Sequence, residues 1–341
     1  MIKLKKPFFI AEIGINHNGN LSLAKKLIDS AKSCGADAVK FQSFSKDTLN
    51  IKKLYKNKKA EFKFDKKIKN LEDIIDRITL SKSDHKILQK YCKKKKIIFF
   101  STPLDTSYVD FLDKIKVPFF KIASMDLNNP EIISRVALKK KPIILSTGFS
   151  SILEIHEAIA RIKRISKKID IYLLHCVSAY PPKNNNLNLK NIIMLKKTFN
   201  LEVGFSDHTI GVGACLAAIA LGATIIEKHF TIDKSMIGWD HSISANPSEL
   251  KTIVREGRKI YSMLGDYERK ISEQEKNFKK NMRRSIVANR FIQKGKVISR
   301  KDLAFKRPGT GIDVNKIDFV TNRIARLSLK PDTILKFKHL K

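Results

Sequence analysis

Acidic residues are scarce in this chain: 33 Asp and Glu stand against 68 Lys and Arg, a formal net charge of +35 over 341 residues. Tryptophan occurs once, at Trp239, and cysteine four times, at Cys34, Cys92, Cys176 and Cys215. The cysteines lie far apart with no metal or redox spacing, which argues against a disulfide framework and for reduced thiols in a cytoplasmic protein. No run of 18 uncharged apolar residues exists, so no membrane span is expected. The start from Met1 to Pro7 is basic, but Glu12 breaks the apolar run that follows, against a secretory leader. There is no internal repeat, and no low-complexity tract beyond lysine runs.

What is present is ordinary for a globular protein: 43% of residues are apolar and 30% charged. The length fits about two domains, or one α/β barrel of roughly 250 residues plus a smaller unit. The positive charge raises the possibility of a nucleic-acid binder. Its runs, Lys93 to Lys96 and the cluster from Lys52 to Lys59, lack interleaved aromatics and an Arg-rich reading helix. They read as lysine-rich coding bias on solvated faces, with the field assisting capture of an anionic metabolite.

Short apolar runs alternate with amphipathic stretches. The runs are Phe8–Ile13, Ala36–Phe41, Ile97–Phe100, Phe119–Ala123, Ile143–Ser146, Ile171–His175, Glu202–Phe205 and Thr224–Lys228. Between them fall helical patterns such as Leu21–Ser33, Asp84–Lys94 and Ile152–Ile165. Eight alternations predict parallel βα units closed into a (β/α)8 barrel. An open nucleotide-binding sheet is disfavoured, because Gly14-Ile15-Asn16-His17-Asn18-Gly19 does not fit GxGxxG. The second connection, Ser43 to about Leu80, is long and basic, as lids and partner contacts often are. We read residues 1–265 as the barrel, 266–282 as a charged linker, and 283–341 as a small β-rich domain with pieces at Ser285–Ala288 and Lys296–Ile298.

In a barrel the functional groups project from the C-terminal ends of the strands. The eight runs end in Glu12, Lys40 and Gln42, Ser101 and Thr102, Lys121 with Ser124 and Asp126, Ser146, His175 with Ser178 and Tyr180, Ser206 with His208, and Glu227 with His229. Any one of these is unremarkable as a loop-facing polar residue; eight together point to one site. Lys40 and Lys121 among hydroxyls form a receiver for phosphate and carboxylate. His208 and His229, on neighbouring strand ends, suit a divalent metal with open positions for water and substrate. His17 and His175 are expected to be structural. Gly211-Val212-Gly213 either offers free N–H groups to an anion or lets a helix pack closely.

These residues carry a resemblance. Ala11-Glu12-Ile13-Gly14-Ile15-Asn16-His17-Asn18-Gly19, Val39-Lys40-Phe41-Gln42, Lys121-Ile122-Ala123-Ser124, Ser146-Thr147-Gly148, His175 to Pro181, Gly204-Phe205-Ser206-Asp207-His208-Thr209 and Ile226-Glu227-Lys228-His229-Phe230 resemble the sialic acid synthase family, in its order. Lys306-Arg307-Pro308-Gly309-Thr310-Gly311 resembles the family's C-terminal antifreeze-like SAF domain. The resemblance implies a transferase that condenses phosphoenolpyruvate with an N-acetylmannosamine-type or 2,4-diacetamido-trideoxy sugar and releases phosphate by C–O cleavage. It implies phosphoenolpyruvate binding by Lys40, Thr102, Lys121, Ser124, Asp126, Ser146, Ser178 and Ser206, and sugar binding by Gln42, Tyr180, Asp240 and Arg307. His208 and His229 would hold Mn²⁺ or Mg²⁺, with no organic cofactor, and Glu12 would handle protons. A domain-swapped homodimer is implied, with Arg307 acting in trans. Ser178 stands where the family often has Asn, and Asp126 where Glu is common. Trp239 would serve either as packing or as an apolar wall for the sugar. The competing reading is a basic nucleic-acid-binding or glycan-binding barrel without enzyme activity.

Overall fold

In the computed structural model, residues 7–49 and 71–341 are described; the Lys52–Lys59 cluster and most of the long second connection fall outside them. The chain divides into two units, Met1–Gly265 and Asp266–Lys341.

In the first unit, apolar β-branched and aromatic runs form eight parallel strands. They are β1 (Phe8–Gly14), β2 (Ala38–Ser43), β3 (Ile98–Pro103), β4 (Phe120–Ile122), β5 (Ile143–Ser146), β6 (Ile171–Cys176), β7 (Glu202–Asp207) and β8 (Ile225–His229). The sheet order is β3-β2-β1-β8-β7-β6-β5-β4, and β3 also lies against β4, so the barrel is nearly closed. Strand residues are buried almost throughout, as expected when one face fills a barrel interior and the other lies under helices. Phe8, Phe100 and Phe119 pack edge to face within the barrel, with the Phe100 and Phe119 ring centroids 4.6 Å apart.

The helices begin where the sequence supplies caps. Asn20 accepts a hydrogen bond from the Leu23 amide, and Ser81, Ser151 and Asn246 form capping boxes with the third residue of their helices. Strand ends and helix starts are therefore set by short polar turns, which fixes the loops at the barrel mouth. A bulge between Glu12 and Gly14 interrupts the β1–β2 ladder, and Gly14 takes φ +54° there. Bulges re-aim side chains at barrel rims, and this one lies beside Glu12. Gly211 adopts φ +85°, and neither Gly211 nor Gly213 approaches another atom within 4 Å of a notional Cβ. Close packing is thus not the reason for those glycines. Trp239 packs against a satellite cluster of Ile15, Phe44, Ile74, Ile75 and Ile78.

The second unit opens with a helix, Glu273–Met282, inside the stretch read as linker. Its capping box at Ser272 supports a helix that buries none of its own residues. Strands β9 (Ser285–Ala288) and β10 (Leu303–Lys306) pair antiparallel. The expected β segment at Lys296–Ile298 is reduced to a single bridge from Val297 to Ile324, and β10 was not anticipated. The unit has its own core, including Ile286, Ile298, Leu303 and Leu335. Asp302 is buried in it and accepts from Arg290 (2.6 Å), Lys296 (2.9 Å) and the Ser299 amide (2.9 Å).

Candidate active site

Strand register does most of the assembly. On β1, Glu12 stands opposite Lys40 of β2 and His229 of β8. Gln42 stands opposite Thr102, Cys176 opposite Ser206, and Ser206 opposite Glu227. Alternate residues of each strand thereby face one small cleft at the strand C-terminal ends, with a volume of about 90 Å³.

The cleft wall holds Glu12, Lys40, Gln42, Thr102, Lys121, Ser124, Ser146, Ser178, Tyr180, Ser206, His208 and His229, all expected from the sequence. Three expected residues are not in that wall. Asp126 sits on the turn after Ser124, where it accepts from Asn129 at 3.2 Å. Asp240 lies behind His229, with Oδ2 3.5 Å from Nδ1. Arg307 belongs to the second unit and is exposed there. His17 and His175 lie outside the wall as structural residues: His17 Nδ1 accepts from the Gly19 amide at 2.9 Å, and His175 Nε2 donates to the Leu187 carbonyl at 2.7 Å.

Within the cleft, cations and carboxylates interleave. Lys40 Nζ lies 2.9 Å from Glu12, 3.7 Å from Glu227 and 3.0 Å from Thr102 Oγ1. Lys121 Nζ donates to Ser146 Oγ at 2.7 Å and lies 3.7 Å from Glu227. Ser206 donates to Glu227 at 3.0 Å. Burial pushes the Glu12 carboxyl up to about 7; Lys40 opposes this and Glu227 reinforces it. Burial also acts to raise Glu227, but Lys121, Lys40 and the Ser206 hydroxyl outweigh it and move that carboxyl down. Two acids on adjacent ground thus divide, Glu227 as a fixed anion and Glu12 as a group able to carry a proton near neutrality. In the sequence Glu227 stands out only as a strand end within one family segment; its pairing with both lysines gives it a part of its own. Cys176, Met125 and Phe149 also line the cleft and gave no sequence signal.

The two imidazoles are neighbours, with ring centroids 5.4 Å apart, and the Tyr180 ring covers His208 at 4.1 Å. His208 Nδ1 donates to the Val177 carbonyl at 2.9 Å, which leaves Nε2 with its lone pair. Burial works against charge on His208, but the Cys176 sulfur and the Val177 carbonyl outweigh it and raise its pKa. His229 is kept neutral, far below the usual imidazole range, by burial and by the neighbouring His208 and lysines. Its buried Nδ1 has no hydrogen-bond partner. One fixed tautomer and one unsatisfied buried nitrogen side by side fit a divalent first-row cation. Among the described residues, no group of three or more His, Cys, Asp or Glu is arranged around a metal position.

A nearly closed parallel barrel with buried lysines, hydroxyls, a proton-carrying acid and paired imidazoles at its mouth defines an enzyme that handles a small anionic substrate. The chain matches the NeuB family over residues 27–269 and the SAF domain over residues 283–341, and it belongs to the NeuB family. It is 41% identical to the N,N'-diacetyllegionaminic acid synthase of Campylobacter jejuni, over 98% of this chain and 100% of that protein. It is 36% identical to a pseudaminic acid synthase of the same species, over 90% and 89% of the two chains. The sialic acid synthetase of Leptospira borgpetersenii, solved in complex with citrate, superposes with a TM-score of 0.72 at 35% identity, covering 80% of this chain and 90% of that one. No helix among the described residues is long and apolar enough to cross a membrane.

Proposed function

We propose that this enzyme joins phosphoenolpyruvate to the open-chain aldehyde of an N-acylated amino sugar, adds water, and releases phosphate and a nine-carbon 2-keto sugar acid. The observation that carries the reading is the buried pair Lys40 and Lys121, set among Thr102, Ser124, Ser146, Ser178 and Ser206 beside two imidazoles. The ammonium groups and hydroxyls would hold the carboxylate and phosphate of the enol ester. The bond that forms joins the enol methylene carbon to the aldehyde carbon. Positive charge then develops on the carbon bearing phosphate, water adds there, and the C–O bond to phosphate breaks.

Glu227, fixed as an anion, orients both lysines toward the guest. Glu12, with its raised pKa, is placed to take a proton from the adding water and to return one as the alkoxide forms. Gln42 donates to Glu12 at 3.3 Å and, with Tyr180, would meet the sugar. Asp240 is pushed up to about 6 by burial and would order water beside His229. A divalent cation held by His208 and His229 would supply Lewis-acid polarisation of the aldehyde oxygen. Asp126 would act at longer range on the phosphoenolpyruvate pocket, and Arg307 would be contributed by the partner subunit of a homodimer.

Similarity favours an N,N'-diacetyllegionaminic-type product, since that synthase, at 41% identity, is nearer than the pseudaminic acid synthase at 36%. We take the barrel as the synthase domain and residues 283–341 as the SAF domain. No organic cofactor enters the scheme, and a cytoplasmic location suits its phosphorylated substrate. The nucleic-acid or glycan-binding alternative is not favoured, because the informative lysines are buried inside a cleft. The test is phosphate release from phosphoenolpyruvate with Mn²⁺ and a panel of N-acetylmannosamine and diacetamido sugars. Release with none of them, or undiminished release by His208→Ala, would overturn the assignment.

A further inference from the structure

Strand alternation leaves one residue between each pair of cleft-facing groups at the ends of β7 and β8. Ser206 and His208 face the cleft and so do Glu227 and His229; Asp207 and Lys228 face the other way. These two outward residues stand opposite each other in the ladder. Their side chains are 0% and 1% exposed, with Lys228 Nζ 2.8 Å from Asp207 Oδ2.

The surroundings complete the pair. Asp207 accepts from the Thr209 amide at 2.8 Å, the Thr209 hydroxyl at 3.1 Å and Cys215 Sγ at 3.1 Å. Lys228 also donates to the Thr209 carbonyl. Cys215 lies in the helix Gly213–Ala220, so the cluster ties β7, β8, the loop after β7 and that helix together. A buried ion pair is poor value for stability alone, because desolvation offsets most of the attraction. An apolar pair would hold strands and helix together as well. What an ion pair adds is a fixed register and direction, and here each member is the chain neighbour of one imidazole.

We propose that Asp207 and Lys228 are positioning residues whose buried ion pair sets the spacing and orientation of His208 and His229. The inference rests on reading those two histidines as the metal holders. The ion pair fixes two adjacent strand ends relative to each other. Without it, the peptide planes before His208 and His229 can rotate independently, and the two nitrogens no longer converge.

The experiment compares the parent protein, His208→Ala, and the double variant Asp207→Leu/Lys228→Met, which replaces both charges by apolar groups of similar branching. Thermal unfolding reports the fold, and Mn²⁺ affinity is read from the electron paramagnetic resonance of free Mn²⁺. The double variant is expected to stay folded with a lowered Tm, because the Thr209 amide, hydroxyl and carbonyl lose their partners, and to bind Mn²⁺ about 10- to 100-fold more weakly, the usual range for groups that orient metal ligands. A folded double variant with parental affinity, while His208→Ala has lost binding, overturns the inference alone. A parent that takes up no Mn²⁺, or His208→Ala that binds it normally, overturns the metal reading and the inference with it. If the double variant does not fold, Thr209→Val removes one donor to Asp207 and keeps the charges. Its Mn²⁺ affinity is expected to fall about threefold, a fraction of the roughly 10- to 100-fold expected when the whole pair is lost, because the ion pair itself stays in place; unchanged affinity overturns the inference.

Discussion

Gly148 offers the sharpest separation of binding from folding. It follows β5, and its amide donates to Ser124 Oγ at 3.0 Å. A Cβ built there would collide with Ser178 Oγ and would sit 2.8 Å from Ser124 Oγ and 3.2 Å from Ser124 Cβ. Gly148 does not occupy the left-handed region, so alanine carries no backbone strain. Both colliding oxygens end short, rotatable side chains and can swing away, which limits the cost to stability to about 1 kcal/mol. Swinging away turns two cleft hydroxyls from the anion they would hold. A hydrogen bond to a charged group contributes about 1.5–3 kcal/mol. Loss of one such bond therefore raises KM for phosphoenolpyruvate roughly 10- to 150-fold, and loss of both raises it further. Gly148→Ala should accordingly keep its Tm within a few degrees and show that rise in a phosphate-release assay. A folded variant with parental KM would refute the placement of Ser124 and Ser178 around the phosphoenolpyruvate site.

Other outcomes follow from the same geometry. Burial lowers His17 to about 3 and His241 to about 4, so both stay neutral in the fold while the unfolded chain takes up protons below about 6.5. Stability is therefore present above that pH and lost as pH falls; His17 alone should cost about 2 kcal/mol between pH 7.5 and 5 in urea titrations, and no loss would contradict its burial. A hybrid of Arg307→Ala and Glu12→Ala subunits should regain partial activity that neither variant has alone, whereas verified hybrids without activity would count against action in trans. Asp302→Ala removes the acceptor of Arg290, Lys296 and the Ser299 cap and should destabilise the second unit by about 2 kcal/mol, seen as its earlier melting.

The sequence made the barrel legible because parallel strands buried on both faces read as short apolar runs, and all eight recur within a few residues of where they were expected. Strand ends came out longer, as at Asp207 and Pro103, because polar residues that close a ladder look like loop. The helix Glu273–Met282 is not legible because its two apolar residues, Phe278 and Met282, are too few to show a period. Strand β10 escaped because Leu303–Lys306 is too short to show alternation. At the cleft, residue type and strand position identified Glu12, Lys40, Lys121 and both imidazoles. The division of labour between Glu12 and Glu227 was not legible, since it depends on distances to two lysines from different strands. The outward pair Asp207 and Lys228 was hidden for a similar reason: adjacent to the histidines in sequence, it faces away from them in space.

The alternation of Glu12, Lys40, Glu227 and Lys121 leaves the ground balanced, two positive against two negative, before any guest arrives. A multiply charged enol phosphate upsets that balance. The weaker of the two carboxylic acids, Glu12, then draws a hydrogen ion from the medium. Calorimetric heats of association measured near pH 7.5 should therefore shift with the ionisation enthalpy of the buffer, and the slope should vanish in Glu12→Gln.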